Sequence, residues 1–437
     1  MSARQMKFGL FLMGVGHHIA AWRHPDVRPE WCEDFTFFRR MAEIAERGKL
    51  DMLFISDGLA IEPLSHPAEL VRLEPFTLLA ALAAVTERIG LAGTASTTYN
   101  EPFHIARKCS SLDHISRGRA AWNIVTSYYE EEAYNFSRTA HLEHRLRYER
   151  AREFVDVVNG LWESWDDEAL IRDQASGVYF HPNKWRPLNH RGTHFSVRGP
   201  LNSSRPPQGK PVLIQAGSSP DGIRFAAQVA EVVFTAQSTL EDAKRFYRTI
   251  KQEAARAGRH PDHILVMPGV SLYIGETEQE AKEEYEQLQE LIVPEVGLAF
   301  LSDYLGGIDF SNYSLDAPLP DNIPETNGNQ SRRQLIIDLA RREGLTIRQL
   351  YQRIAGARGH FTIIGTPEQI ADQLEQWFRQ HAADGFNLMF PYYPHGLSRF
   401  VEQVIPILQT RGLFRREYEG TTLREHLGLP IPRPIRV

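Results

Sequence analysis

Short, wholly apolar runs alternate with amphipathic helical stretches along most of this chain. Met52-Leu-Phe-Ile-Ser56, Pro211-Val-Leu-Ile-Gln215 and Glu231-Val-Val-Phe-Thr235 are continuous apolar runs, not alternating ones. A strand with one wet face alternates; a continuous run is expected where helices cover both faces of a parallel sheet. Strands are expected at 7–13, 51–56, 89–96, 119–126, 211–215, 231–236, 264–272 and 386–390. Helices fit the intervals at 34–47, 75–86, 103–115, 144–162, 222–230, 240–257, 278–288, 367–381 and 397–409. Thr366, Pro367 and Gln369 make a capped helix start, and Thr277 with Glu280 carries the same capping-box signature. Eight strands with helices between them is the count of a (β/α)8 TIM barrel; a doubly wound sheet usually has fewer.

The 437 residues would divide into about three domains at ~150 residues each. A barrel runs ~250 residues and exceeds 400 with insertions, so one domain over 1–437 is expected. The surplus falls in two stretches. Residues 163–210 are rich in Pro, Gly, Asn and His; residues 293–360 begin as loop and turn helical at 332–343 and 347–355. Insertions this long are commonly lids, and both are expected over the C-terminal face of the strands.

The net charge of −6 excludes a nucleic-acid coat or a polybasic membrane binder, and 42% hydrophobic residues exclude intrinsic disorder. Cys32 and Cys109 are too few for a disulfide framework or a four-thiolate metal site. The longest apolar run, 78–85, is far short of the ~20 residues of a membrane span. Arg4, Lys7 and the apolar 8–15 mimic a secretory leader, but no small-residue cleavage site follows, so the chain reads as cytoplasmic.

A barrel places its chemistry at the C-terminal strand ends. There lie Gly14-Val-Gly-His17, Asp57, Thr94, Asn123, Ser127 and Gln215-Ala216-Gly217-Ser218-Ser219. Asp57 suits a binding role or a loop brace. Ala216 to Ser219 precede a helix, where backbone N–H groups and hydroxyls would cradle a phosphate. A strand–helix turn with a serine cap accounts for them equally. Gly14-x-Gly16 lacks the helix a dinucleotide fingerprint requires. His141-x-x-His144 lacks a third ligand, so no metal site is assigned.

The run Thr94-Ala-Ser-Thr-Thr-Tyr99, Glu101-Pro-Phe103, Ser111-Leu-Asp-His-Ile-Ser116 and Gly118-Arg-Ala-Ala-Trp-Asn-Ile-Val-Thr-Ser127 resembles the bacterial-luciferase-like flavin monooxygenases. Gly16-His17, Trp22-Arg-His-Pro25, Gly365-Thr-Pro-Glu368 and Asp384-Gly-Phe-Asn387 resemble their nitrilotriacetate, dibenzothiophene-sulfone and long-chain-alkane monooxygenase branch. The subgroup most resembled acts on N-acetylated, S-substituted cysteines; alkanes and aminopolycarboxylates are the alternatives. The resemblance implies a barrel that takes reduced FMN from a separate reductase and, with O2, oxygenates a small organic substrate. It implies a homodimer or homotetramer. It places Asp57 and Thr94 beside the isoalloxazine, Asn123 and Ser127 along the flavin site, and Tyr148 with Ser218 and Ser219 on the phosphate, beside Ala216 and Gly217. Oxygen chemistry on a flavin needs a dry, closable site and a group to manage a proton. His17 is the first candidate for that proton, then His360 and His395; a structural role accounts for each equally. A metal-dependent barrel hydrolase and a non-catalytic flavin binder are the competing readings.

Overall fold

The computed structural model describes residues 4–61, 66–326 and 329–432. Among these residues, nine parallel strands form one sheet. They are β1 (Lys7–Phe11), β2 (Met52–Ile55), β3 (Gly90–Ser96), β4 (Ala120–Val125), β5 (Val212–Ala216), β6 (Val232–Thr235), β7 (Leu265–Ile274), β8 (Phe361–Gly365) and β9 (Gly385–Met389). Eight of them close into a barrel: β1 pairs with β2 and β9, β6 pairs with β7, and β7 pairs with β9. Each barrel strand matches one expected from the sequence. The ninth, β8, was not foreseen; it lies outside the ring on the C-terminal half of β7, from Val270 to Ile274.

Among the described residues, the helices of nine or more residues are α1 (Phe35–Arg47), α2 (Pro75–Ala83), α3 (Pro102–Ile115), α4 (His144–Trp162), α5 (Pro220–Val229), α6 (Leu240–Arg256), α7 (Glu278–Glu290), α8 (Pro294–Tyr304), α9 (Gln330–Glu343), α10 (Ile347–Ala355) and α11 (Pro367–Arg379); the helix expected at 397–409 is the consecutive segments His395–Arg399, Phe400–Val404 and Ile405–Thr410. Thr366 and Gln369 close a reciprocal capping box on α11. At α7 only half forms: Thr277 accepts from the Glu280 N–H, while the Glu280 carboxylate reaches back to the Glu276 N–H at 2.8 Å.

The barrel interior is filled by Phe11, Phe54, Phe234, Met267 and Met389 among small and branched neighbours. Continuous apolar strands follow from this, since their other face packs on the surrounding helices. Gly16 is fixed by close approach: a Cβ there would lie 2.2 Å from the Pro391 carbonyl, in a loop at φ 153°. That contact seats the turn after β1 on the turn after β9.

The N-terminal face carries stabilising chemistry. Arg424 clamps Glu231 with two bonds of 2.7 and 2.9 Å, and Arg415 binds Asp51. Both acids sit just before barrel strands, and both pairs are buried.

The two insertions sit at different places. The described part of 293–360, which leaves out 327–328, covers the C-terminal face. Its helices α8, α9 and α10 share a core through Phe300, Ile336, Leu350 and Ile354 and pack on Ile19 and Ala20 after β1. Residues 163–210 form no roof, contrary to expectation. They form two hairpins: Leu170–Asp173 with Val178–Phe180, packed through Phe180 on Trp165 and Trp185, and His190–Arg191 with Ser196–Val197, held to α4 by His190 on Glu153. Glu153 of α4 accepts from the His194 and Phe195 N–H groups, and Gln208 reaches the Ala120 carbonyl at the start of β4. The reason is topological. The insertion joins the end of α4 to the start of β5, and in a parallel barrel both lie at the N-terminal end.

Candidate active site

A cavity of about 640 Å³ opens at the C-terminal ends of the strands beneath the second insertion. Asp57, Thr94, Asn123, Ser127, Tyr148, Ala216, Gly217, Ser218 and Ser219 all line it, although they are spread along the chain. His360 lines it too, whereas His17 and His395 do not.

One end is built by β5 and α5. Ser219 is the N-cap of α5 and accepts from the Gly222 N–H at 3.1 Å. Ser218 bonds Thr235 on β6 at 2.9 Å. A Cβ on Gly217 would lie 2.5 Å from the Gln215 amide, and one on Gly222 3.1 Å from the Tyr148 hydroxyl. Gly217 lines the cavity without a side chain, just ahead of the helix N-terminus, where N–H groups and dipole favour an anion.

The strands β2 to β4 supply the middle. Thr94 donates to the Ile55 carbonyl at 2.7 Å and accepts from the Asn123 amide at 2.9 Å. This fixes the amide and leaves Asn123 Oδ1 buried without a partner; Gln215 Oε1 is left in the same way. Such atoms call for a ligand that donates. Ser127 bonds Ser96 at 2.8 Å and sits at φ 62°, a left-handed conformation that costs a non-glycine residue free energy. Burial pushes the Asp57 carboxyl up to about 6, against the pull of Arg72. Burial likewise raises Glu132, whose carboxylate accepts from the Leu59 N–H at 3.0 Å.

The opposite side belongs to the second insertion and β1. His17 is fully buried behind it. Its Nε2 donates to the Phe11 carbonyl at 2.7 Å, and its Nδ1 accepts from Arg358 at 2.6 Å. Burial, then the Arg358 charge, hold it well below its usual pKa. A neutral ring with both nitrogens engaged is placed to hold Arg358. His360 stacks on Phe234 with centroids 5.2 Å apart and accepts from Arg332 at 3.1 Å. His395 lies beyond, stacked on Tyr392.

Arg72, Glu132, Arg332 and Arg358 also line the cavity, and no motif marks them in the sequence. Arg332 lies on α9 of the roof, and Arg358 sits two residues before the flagged His360. Their signal was weak: cations in an insertion, visible only once that insertion is known to cover the strands. His141 and His144 do not meet a metal; His141 bonds Tyr99, and His144 lies 3.5 Å from Asp221.

The Luciferase-like monooxygenase family model matches residues 6–385. The chain belongs to that family. Among luciferase-like monooxygenases it is 56% identical over 430 residues to the N-acetyl-S-(2-succino)cysteine monooxygenase of Bacillus subtilis (strain 168), covering 98% of each chain. It is 52% identical over 442 residues to nitrilotriacetate monooxygenase component A of Aminobacter aminovorans, again covering 98% of each. Riboflavin lyase, solved with modified FMN and riboflavin, shares the fold at a TM-score of 0.88 and 33% identity over 98% of this chain and 97% of that one. The chain is thus a luciferase-like monooxygenase, an oxidoreductase on a parallel barrel.

Proposed function

We propose that this monooxygenase takes reduced FMN from a separate flavin reductase and uses O2 to oxygenate an S-substituted N-acetylcysteine in the cytoplasm. The observation that carries the reading is the convergence of Asp57, Thr94, Asn123, Ser127, Tyr148 and the Ala216–Ser219 turn on one cavity. The relatives support it in kind: one is a component A, implying a second component, and another was solved with modified FMN. The substrate class follows the 56% identical relative.

The residues fit the cofactor. The bare backbone at Gly217, the Ser219 cap and the Tyr148 hydroxyl suit the phosphate. The unpartnered Asn123 Oδ1 and Gln215 Oε1 suit ring N–H donors of a reduced flavin. When bound, reduced FMN supplies two electrons, so that one atom of O2 enters the substrate and the other leaves as water. The chain's own work is orientation and exclusion. Thr94 locks the Asn123 amide, and helices α8 to α10 keep bulk water from the mouth. Asp57, with its raised pKa, holds or releases a proton near pH 6 beside the ring.

Anaerobic titration with reduced FMN tests the reading, with Asp57→Ala and Ser127→Ala as controls. Both variants should fold and bind more weakly. Unchanged affinity in both would contradict the site. Oxygen-dependent product analysis on N-acetyl-S-(2-succino)cysteine and nitrilotriacetate in parallel tests the substrate class.

A further inference from the structure

Two guanidinium groups on the roof side of the cavity have cationic chemistry with no acid to meet it. Among the described residues, neither Arg332 nor Arg358 forms an ion pair with a carboxylate. Their hydrogen bonds go to neutral atoms. Arg358 reaches His17 Nδ1 at 2.6 Å and Met13 Sδ at 2.9 Å; Arg332 reaches the Arg358 carbonyl and His360 Nε2 at 3.1 Å. Arg358 is only 6% exposed, and both line the cavity.

A buried cation, Arg358, beside the half-buried Arg332, with no carboxylate paired to either among the described residues, is unfavourable. Burial pushes Arg332 down to about 10, with Arg358 among the groups that lower it, yet it stays charged at neutrality. The arrangement is nonetheless held rigidly. Arg358 sits at φ 49° and Gly359 at φ 80°, so consecutive left-handed residues turn the chain here. His17 fixes the head of Arg358, and Phe11 lies under it at 5.7 Å. A strained, charged, pre-organised wall in a cavity is the pattern of a binding subsite. Guanidinium forks match carboxylates in plane and spacing.

The flavin phosphate is not the anion they await. Its cradle lies at β5 and α5, while Arg358 leans on Phe11 of β1 and His360 packs between Phe234 and Gly269 of β7. The barrel order puts β1, under Arg358, across the ring from β5, while β7 is separated from β5 by β6.

Resting on the flavin reading above, we infer that Arg332 and Arg358 form the subsite for a dicarboxylate end of the substrate, with His17 positioning Arg358. A thioether whose S-substituent carries two carboxylates satisfies both guanidiniums; a neutral S-substituent leaves them unpaired.

The test is calorimetric binding of N-acetyl-S-(2-succino)cysteine and of its succinyl dimethyl ester, with reduced FMN present and absent under anaerobic conditions. Wild-type protein should prefer the diacid by about 100-fold, since two charge-assisted pairs are lost in the diester. Arg332→Gln and Arg358→Gln should each weaken the diacid about tenfold and the diester less than about twofold. Arg358→Lys, which keeps the charge without the fork, should fall between and guards against a misfolded Gln variant. Equal binding of diacid and diester by wild-type, or no diacid binding, overturns the inference. So does loss of reduced-FMN affinity in the Gln variants with diacid affinity intact. Wild-type protein that binds the diacid selectively but not reduced FMN overturns the flavin reading alone.

Discussion

His17 Nδ1 accepts a hydrogen bond from Arg358 at 2.6 Å, joining the turn after β1 to a residue 341 positions later. The bond sets the imidazole tautomer, because its Nε2 already donates to Phe11. With both ring nitrogens engaged, His17 is inferred to position Arg358. Replacing His17 with Leu should raise KM for a dicarboxylate substrate about tenfold and leave kcat at saturation within about twofold. Steady-state kinetics over pH 6–9 checks this; a fall in kcat at every substrate concentration would restore a direct proton role.

Asp57 should leave a pH signature in stability. Folding raises its pKa from the ordinary carboxylate value of 3.8 to about 6 through burial. Between those values the native state holds a proton that the unfolded chain has lost. Stability therefore falls as pH rises through that window. Asp57→Asn should gain about 1–2 kcal/mol above pH 6 and nothing near pH 4, read by denaturant melts at both ends.

Ser127 separates strain from function. Ser127→Gly and Ser127→Ala both delete the hydroxyl that meets Ser96, but only glycine adopts φ 62° freely. The glycine variant should be about 1 kcal/mol more stable than the alanine variant, with reduced-FMN affinity lowered equally in both. Thermal melts and anaerobic titration read the two effects separately.

The N-terminal face should matter for stability only. Arg424→Met leaves Glu231 buried without its partner and should cost about 3–5 kcal/mol in chemical denaturation. The folded fraction should retain its kcat, since the pair lies at the end of the barrel away from the cavity.

The barrel was legible because buried parallel strands announce themselves as unbroken apolar runs, as in β2 and β6. β8 was not, because Phe361–Gly365 follows directly on a glycine-containing turn and pairs outside the ring. The cavity residues on β2 to β5 could be read because strand order alone puts strand ends at one mouth. The first insertion was misplaced because its composition says loop and nothing about which end of a barrel it joins. The partner of His17 was hidden for a similar reason: its sequence position gives the strand end, but its hydrogen bond to Arg358 forms only once the closed ring brings the two near. The roof arginines needed the second insertion to be seated before their charge had a meaning.

The most direct test of the central claim is anaerobic fluorescence titration of the purified chain with reduced FMN, followed by admission of O2 with N-acetyl-S-(2-succino)cysteine present. The account predicts saturable binding of reduced FMN, weakened by Asp57→Ala, and oxygenated product only when reduced flavin is supplied. Absence of reduced-FMN binding by the wild-type chain would contradict it.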